Sequence, residues 1–208
     1  MTCLHDELLR AGVRRVEQVR RVRVDGPGNG RLEADGLVDG GADLVVVDAV
    51  RAEPATATAT ATAAVALLLD LEPVAAVGTT AAPDWAERVV EVRDTLRRVR
   101  AHLDDLDGLL DALDDPVLTR TTQLLEQLSA RRTPVLLGDS TTVLAGGLLA
   151  VRRSPGAGTW WLASGRPAGP AGTAALQALG LVPLLDLELT GDASRHALAV
   201  VREAVGGA

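Results

Sequence analysis

The residue types most able to do chemistry in this chain lie in the loops of its last third, Pro134 to Val201. Each loop follows a short apolar stretch typical of a buried strand, and the loops carry small, acidic, cationic and hydroxyl side chains. Ligands of open parallel sheets bind beyond the carboxyl ends of the strands, so we expect these loops to converge on a ligand. The candidate residues there are Asp139, Ser164, Arg166, Gly169, Gly172, Gly191 and Asp192.

The elements that must position these loops alternate along the chain. The last third has the pattern of three strands alternating with three helices, and a Val-rich buried strand is predicted upstream at Leu44–Asp48. The Ala- and Thr-rich run 55–69 predicts a buried helix, and further helices are predicted at Pro83–Arg100 and Pro116–Ala130. Val74–Val77 favours a short strand or a loop. The alternation predicts an α/β fold: a three-layer, doubly wound, mainly parallel sheet with helices on both faces.

The size and composition of the chain indicate one domain. Its 208 residues are 47% hydrophobic, which is enough to bury a core, so residues 1–208 are predicted to form a single α/β domain. Near the start, Val22–Val24 predicts a strand, and Arg31–Gly40 predicts a short helix that ends at a glycine pair. Residues 102–131 are predicted to be helical, with several leucines on one face: Leu106, Leu109, Leu110 and Leu113.

Charge and composition exclude several classes of protein. The formal net charge is -7 and the only aromatic side chains are three tryptophans. Neither contacts to the phosphate backbone of a nucleic acid nor stacking on its bases is therefore favoured. The longest apolar run is shorter than the ~20 residues of a membrane helix, so no membrane association is expected. A single cysteine, Cys3, and a start without a secretory pattern favour a cytoplasmic location.

Common cofactor and nucleophile motifs are absent from the sequence. The turn Gly26–Gly30 lacks the spacing of a dinucleotide fingerprint, and no Walker-type Gly-Lys-Ser/Thr occurs. Gly138–Ser140 lacks the second glycine of a nucleophile elbow. The three histidines are far apart and there is one cysteine, so we predict no metal and no cofactor.

Four segments of the last third follow one another in a fixed order: 134–140 (PVLLGDS), 164–172 (SGRPAGPAG), 183–187 (PLLDL) and 191–197 (GDASRHA). In this order they resemble the PVLLDGF, SHxSxExG, PLLDL and GEG(S/T)GA motifs of the nicotinate-nucleotide:dimethylbenzimidazole phosphoribosyltransferases of cobalamin biosynthesis. An upstream segment, 41–56, is similar to the family signature GADLxGxGExGxGNTT. Relative to that family the chain is divergent and shortened at its N-terminus.

The upstream match departs from the family at its chemically important positions. The acidic residue of the signature falls on Ala49, and the glycines that follow the strand are replaced. Such glycines let backbone N–H groups approach a phosphate, so their loss alters the predicted pocket. Asp48 and Glu53 are the carboxylates that we expect to restore a charge nearby, and a shift of one or several residues along the chain changes the direction of that charge.

The resemblance implies that ribose phosphate is transferred from nicotinate mononucleotide to an aromatic base such as dimethylbenzimidazole. Asp192 stands at the position of the family's catalytic Glu, and the phosphate-loop positions are Ser164, Arg166, Gly169 and Gly172. The other substrate-binding positions that it implies are Gly191, Asp48, Arg88 and Asp139.

Each assignment has a structural alternative. Asp192 also fits the N-cap of the last helix, Arg166 a solvated loop arginine, and Arg88 an exposed helix start.

The losses near Ala49 leave a second function open: a non-catalytic partner subunit or ribotide-binding pseudoenzyme of the same fold. The resemblance implies a homodimer, or a heterodimer with a full-length homologue, because family subunits pair through helices. The leucine face from Leu103 to Leu113 is the candidate interface, and ordinary core packing is its alternative.

Overall fold

A computed structural model of the chain describes residues 4–14, 16–49, 54–78, 84–186 and 193–206. Its strands form one parallel sheet in the consecutive order β1-β2-β3-β4-β5. The strands are β1 (Val19–Val24), β2 (Leu44–Ala49), β3 (Val135–Leu137), β4 (Trp161–Gly165) and β5 (Pro183–Leu185).

Helices connect and flank these strands. They are α1 (Leu4–Arg10), α2 (Gly30–Asp39), α3 (Pro54–Leu68), α4 (Pro73–Val77), α5 (Trp85–Val99), α6 (Leu106–Leu113), α7 (Pro116–Ala130), α8 (Thr141–Arg153), α9 (Pro170–Ala178) and α10 (Ala193–Gly206). Two short 3₁₀ turns lie at Arg100–His102 and Ala157–Trp160.

The two faces of the sheet carry different helices. Alternate strand residues such as Val45, Val47 and Leu137 pack with α2, α3, α7, α8 and α9, whereas Val46 and Leu136 pack with α1 and α10. A consecutive strand order with right-handed crossovers places all connecting helices on one face, which leaves the other to the flanking helices. The predicted α/β class, with a parallel sheet between helical layers, is confirmed.

Local sequence signals explain most of the element boundaries. Asn29 Oδ1 accepts the backbone N–H groups of Arg31 and Leu32 at 3.1 Å, which caps α2. Asp115 caps α7 in the same way, ahead of Pro116 at the first helical position. The prediction of a strand or loop at Val74–Val77 is wrong, because Pro73 starts a short helix there whose Ala76 is buried.

Small side chains bring α3 close to its neighbours. Ala59 and Ala63 of α3 pack against Val92 of α5, and Thr62 is also buried. This confirms the buried helix predicted for the Ala- and Thr-rich run. No helix among the described residues is long and apolar enough to span a membrane.

The leucines of the 102–131 segment serve the core of the chain itself. Leu109, Leu110 and Leu113 are buried in the cluster beneath α7 and α8. They fit the core alternative, and they leave no exposed leucine face on the described part of α6.

Candidate functional site

The ends of three adjacent strands form a polar row on the face covered by α10. Val46, Leu136 and Leu162 are neighbours in register across β2, β3 and β4, and all three face α10. Two residues further along the chain come Asp48 on β2, Gly138 directly after the end of β3, and Ser164 on β4; they lie on the same face because successive residues alternate with a period of two. The sheet thus brings two of the predicted site residues together at its carboxyl end.

Asp48 is held by two donors from neighbouring elements. Arg21 Nε of β1 donates to Asp48 Oδ2 at 2.8 Å, and the Ser194 hydroxyl of α10 donates to the same oxygen at 3.1 Å. Arg21 Nη2 also donates to Ser194 Oγ at 3.0 Å, which closes a three-residue network. The Asp48 side chain is only 16% exposed, so its carboxylate has a fixed place at the edge of the row.

The absence of a side chain at residue 138 makes room for that carboxylate. A Cβ atom on Gly138 would lie 2.6 Å from Asp48 Oδ1 and 3.0 Å from the carbonyl oxygen of Val47. Neither distance is compatible with ordinary contact. Gly138 is therefore the residue over which the second oxygen of Asp48 extends.

Asp139 adds a second carboxylate to this edge. It lies between β3 and α8, whose N-cap is Ser140. Burial raises the pKa of Asp139, its own backbone N–H lowers it, and the negative charge of Asp48 raises it further. Two carboxylates that repel each other in a half-buried place favour a ligand that brings positive charge or N–H donors.

Ser164 provides a buried hydroxyl with no protein partner among the described residues. The residue is 0% exposed, and its Oγ atom makes no hydrogen bond there. A buried polar group without a partner costs free energy, and native proteins contain few of them. The hydroxyl therefore indicates a partner from outside the described chain.

The β4–α9 loop carries the predicted phosphate ligands. Arg166 Nη2 lies 2.5 Å from Asp186 Oδ1, and both side chains are more than half exposed. Gly169 has a φ of +89° and precedes Pro170 at the start of α9, with open space where its Cβ would point. An open cleft of about 750 Å³ borders this loop, α9 and β5, so an anion can reach the α9 N-terminus.

Gly172 has a packing role that its sequence position did not reveal. A Cβ atom there would lie 2.7 Å from Pro167 Cβ and 3.3 Å from Thr141 Oγ1. The glycine lets the first turn of α9 pack against its own loop and against α8. Its ligand-binding assignment remains a prediction.

The remaining predicted residues are not joined to this group. Arg88 lies on the first turn of α5 and makes no hydrogen bond or ion pair with the other candidates in the described chain. Gly191 and Asp192 lie outside the described residues. The described residues hold no group of three or more His, Cys, Asp or Glu side chains suited to a metal ion.

Two residues of the site escaped the sequence analysis. Arg21 lies outside the strand predicted at Val22–Val24, whereas β1 covers Val19–Val24 and places Arg21 on the same face as Val19. Ser194 stands at the Ser/Thr position of the GEG(S/T)GA motif, yet no chemistry is assigned to it from the sequence. The contact of both residues with Asp48 becomes visible only once β1, β2 and α10 are brought together.

Comparison with known proteins decides the family. The phosphoribosyltransferase family model DBI_PRT matches residues 29–205. The chain belongs to this phosphoribosyltransferase family. The resemblance drawn from the sequence motifs is confirmed.

Among its relatives, the family member named nicotinate-nucleotide–dimethylbenzimidazole phosphoribosyltransferase of Mycobacterium tuberculosis is 41% identical over 182 residues. The match covers 85% of this chain and 49% of that protein. The protein of the same name from Corynebacterium efficiens is 36% identical over 178 residues, which cover 83% of this chain and 47% of the relative.

A solved structure gives the same result for the fold. The crystal structure of CobT from Thermus thermophilus is similar with a TM-score of 0.70 and 28% sequence identity, covering 85% of this chain and 53% of that one. The chain therefore spans about half the length of the relatives that it matches.

Proposed function

We propose that this chain binds nicotinate mononucleotide and transfers its ribose phosphate to an aromatic base such as dimethylbenzimidazole, a reaction of cobalamin biosynthesis. The observation that carries the proposal is the polar row at the carboxyl end of the sheet, in a chain that belongs to this phosphoribosyltransferase family. There, two carboxylates and a buried hydroxyl that has no partner among the described residues occupy the edge where parallel sheets bind ligands.

The proposed reaction exchanges one C–N bond for another. The bond from the ribose anomeric carbon to the nicotinate ring nitrogen breaks, and its electron pair neutralises the positively charged ring. A ring nitrogen of the base forms the new bond to that carbon, and the base gives up its N–H proton to a carboxylate. The products are nicotinate, the ribotide of the base and one proton.

The residues divide into two groups in this proposal. Arg166 and the N-terminus of α9 bind the 5′-phosphate, because both offer N–H donors next to an open cleft. Ser164, Asp48 and Asp139 face the ribose and the ring that leaves. Arg88 and the glycines Gly169, Gly172 and Gly191 complete the proposed substrate contacts.

Asp192 is the proposed proton acceptor, on the strength of its position in the motif alone. It matches the glutamate of GEG(S/T)GA, and its shorter side chain carries the same charge. A carboxylate that is one methylene shorter reaches about an ångström less far, which is enough to slow proton transfer.

The direct test is release of nicotinate from nicotinate mononucleotide, followed by chromatography, with dimethylbenzimidazole as acceptor. Asp192→Asn is expected to lower the rate by about 10²-fold or more, the usual contribution of a general base. Ser154→Ala, an exposed serine at the far end of α8, is the control and keeps the wild-type rate.

Two outcomes separate the proposal from its alternative. Release by the purified chain alone supports a catalytic role. Binding of nicotinate mononucleotide without release by the chain, but with faster release when a full-length homologue is added, would instead support a partner subunit. No binding of the nucleotide refutes both.

We also propose that the protein is cytoplasmic and pairs with a second copy or with a full-length homologue. Because α6 contributes its leucines to the core, other surfaces must supply that contact. Light scattering after size-exclusion chromatography, of the chain alone and mixed with the homologue, measures the stoichiometry.

A further inference from the structure

The network around Asp48 uses the two oxygens of its carboxylate differently. Oδ2 accepts both protein donors, from Arg21 at 2.8 Å and from Ser194 at 3.1 Å. Oδ1 accepts no hydrogen bond from the described residues and extends over Gly138. The carboxylate is thus fixed through one oxygen while the other remains available.

Arg21 is suited to this fixing role by the geometry of its guanidinium. Its Nε binds the carboxylate and its Nη2 binds Ser194, which in turn donates to the same carboxylate oxygen. A planar fork reaches both partners at once, whereas a lysine ammonium is a single point charge. The network joins β1, β2 and the first turn of α10, so Asp48 cannot rotate without breaking contacts to two elements.

The second oxygen, Oδ1, lies beside groups that favour a positively charged ligand. Asp139 follows β3 at the same edge, where burial and then the negative charge of Asp48 raise its pKa, and Ser164 presents a hydroxyl that has no partner among the described residues. A nucleotide whose ring nitrogen is quaternary carries its positive charge at the glycosidic bond. As that bond breaks, positive charge develops on the anomeric carbon, where a fixed carboxylate oxygen stabilises it.

We infer that Arg21 is a positioning residue that, together with Ser194, aims Asp48 Oδ1 at the positively charged glycosidic centre of the bound nucleotide. This inference rests on the proposed function. It assigns Arg21 a role through Asp48 rather than a contact with the phosphate.

The test compares Arg21→Gln with Arg23→Gln. Arg23 lies two residues along β1 on the same face and opposite Asp48 in register; it is exposed and forms no ion pair with the described residues, so it controls for loss of a charge near Asp48. Titration calorimetry measures the affinity for nicotinate mononucleotide and for ribose 5-phosphate, which lacks the charged ring. Arg21→Gln is expected to weaken nucleotide binding about tenfold, the lower end of the losses caused in metal sites by removing the residue that orients a ligating side chain. Binding of ribose 5-phosphate should not change.

Two further variants keep the test sharp. Arg21→Lys retains the charge but not the fork, so its nucleotide affinity should fall between wild type and Arg21→Gln. Ser194→Ala should cause a loss of the same kind without changing net charge. Circular dichroism and the thermal midpoint establish whether each variant is folded. If Arg21→Gln does not fold, the nucleotide affinities of Arg21→Lys and Ser194→Ala test the inference.

Several results would overturn the inference. They are equal effects of the Arg21 and Arg23 variants, an equal loss of both ligands in Arg21→Gln, or no nucleotide binding by the wild type. Failure of the proposed function has a different signature. If the wild type binds the nucleotide but releases no nicotinate, a selective loss in Arg21→Gln still supports the positioning role.

Discussion

Replacing Gly138 by alanine tests whether Asp48 occupies the place that the structure assigns to it. The added Cβ would lie 2.6 Å from Asp48 Oδ1 and 3.0 Å from the Val47 carbonyl oxygen. The carbonyl belongs to the adjacent strand and cannot move alone, because it accepts the backbone N–H of Gly138 at 2.9 Å. Asp48 must therefore move away, and its hydrogen bonds to Arg21 and Ser194 are lost or lengthened.

The expected loss of unfolding free energy in Gly138→Ala has three contributions. Forcing an extra methyl group into a packed site costs ~1–3 kcal/mol. Loss of a partly exposed ion pair adds up to about 1 kcal/mol, and the reduced freedom of the unfolded chain returns roughly 0.4–1 kcal/mol. The free energy of unfolding should fall by about 2 kcal/mol, which lowers the thermal midpoint by about 4–8 °C for a chain of this size.

Thermal unfolding followed by circular dichroism measures this effect. Gly36→Ala is the matched control: it lies in α2 with nothing within 4 Å of its added Cβ, so it should raise stability by up to about 1 kcal/mol. In the double variant with Asp48→Ala, Gly138→Ala should cost less than it does in the wild type. An unchanged midpoint in Gly138→Ala, or strict additivity in the double variant, would refute the proposed contact.

Two further predictions concern the polar row. Burial and the charge of Asp48 raise the pKa of Asp139, so the ionised carboxylate lowers the free energy of unfolding. This destabilisation is present above the pKa of the folded state and vanishes below the unfolded value near 3.8. Asp139→Asn should therefore raise the thermal midpoint at pH 7 and lose that advantage by about pH 3.5; an equal gain at both pH values contradicts the reasoning. Ser164→Ala should leave stability unchanged or higher, because the hydroxyl has no described partner, yet weaken nucleotide binding. Ser129→Ala is its control and should cost about 1–2 kcal/mol, since Ser129 Oγ accepts from Trp161 Nε1 at 2.9 Å; equal stability changes in the two variants would argue against an unpartnered Ser164.

The sequence predicts the framework of the fold well for a physical reason. Strands buried on both faces consist of apolar runs, as at Leu44–Val47. Helix starts are marked by capping residues and by proline in the first turn, as at Pro116. Once the strands are parallel, the loops after them must share one edge. The convergence of Asp48, Asp139 and Ser164 follows from that rule without knowledge of any side-chain contact.

The sequence does not predict side-chain contacts that depend on strand register and on the packing of a further helix against the sheet. Arg21 lies 27 residues from Asp48, and Ser194 lies 146 residues from it, so no local pattern relates them. The role of Gly172 likewise depends on Pro167 and on the neighbouring helix. Such contacts exist only after the sheet order and the position of α10 are fixed.

The pair formed by Gly138 and Asp48 explains two departures from the family motifs together. The motif PVLLDGF has an aspartate where this chain has Gly138, and the signature GADLxGxGExGxGNTT has a glycine where it has Asp48. Taken separately, the change at residue 138 removes a carboxylate, and the change at residue 48 adds a side chain where the signature has none. The structure places Asp48 Oδ1 2.6 Å from the Cβ position of residue 138, so a carboxylate from β2 occupies the space that a side chain on residue 138 would use. A carboxylate on both residues would place two negative charges in one half-buried space, and the combination of Gly138 with Asp48 avoids this in this chain.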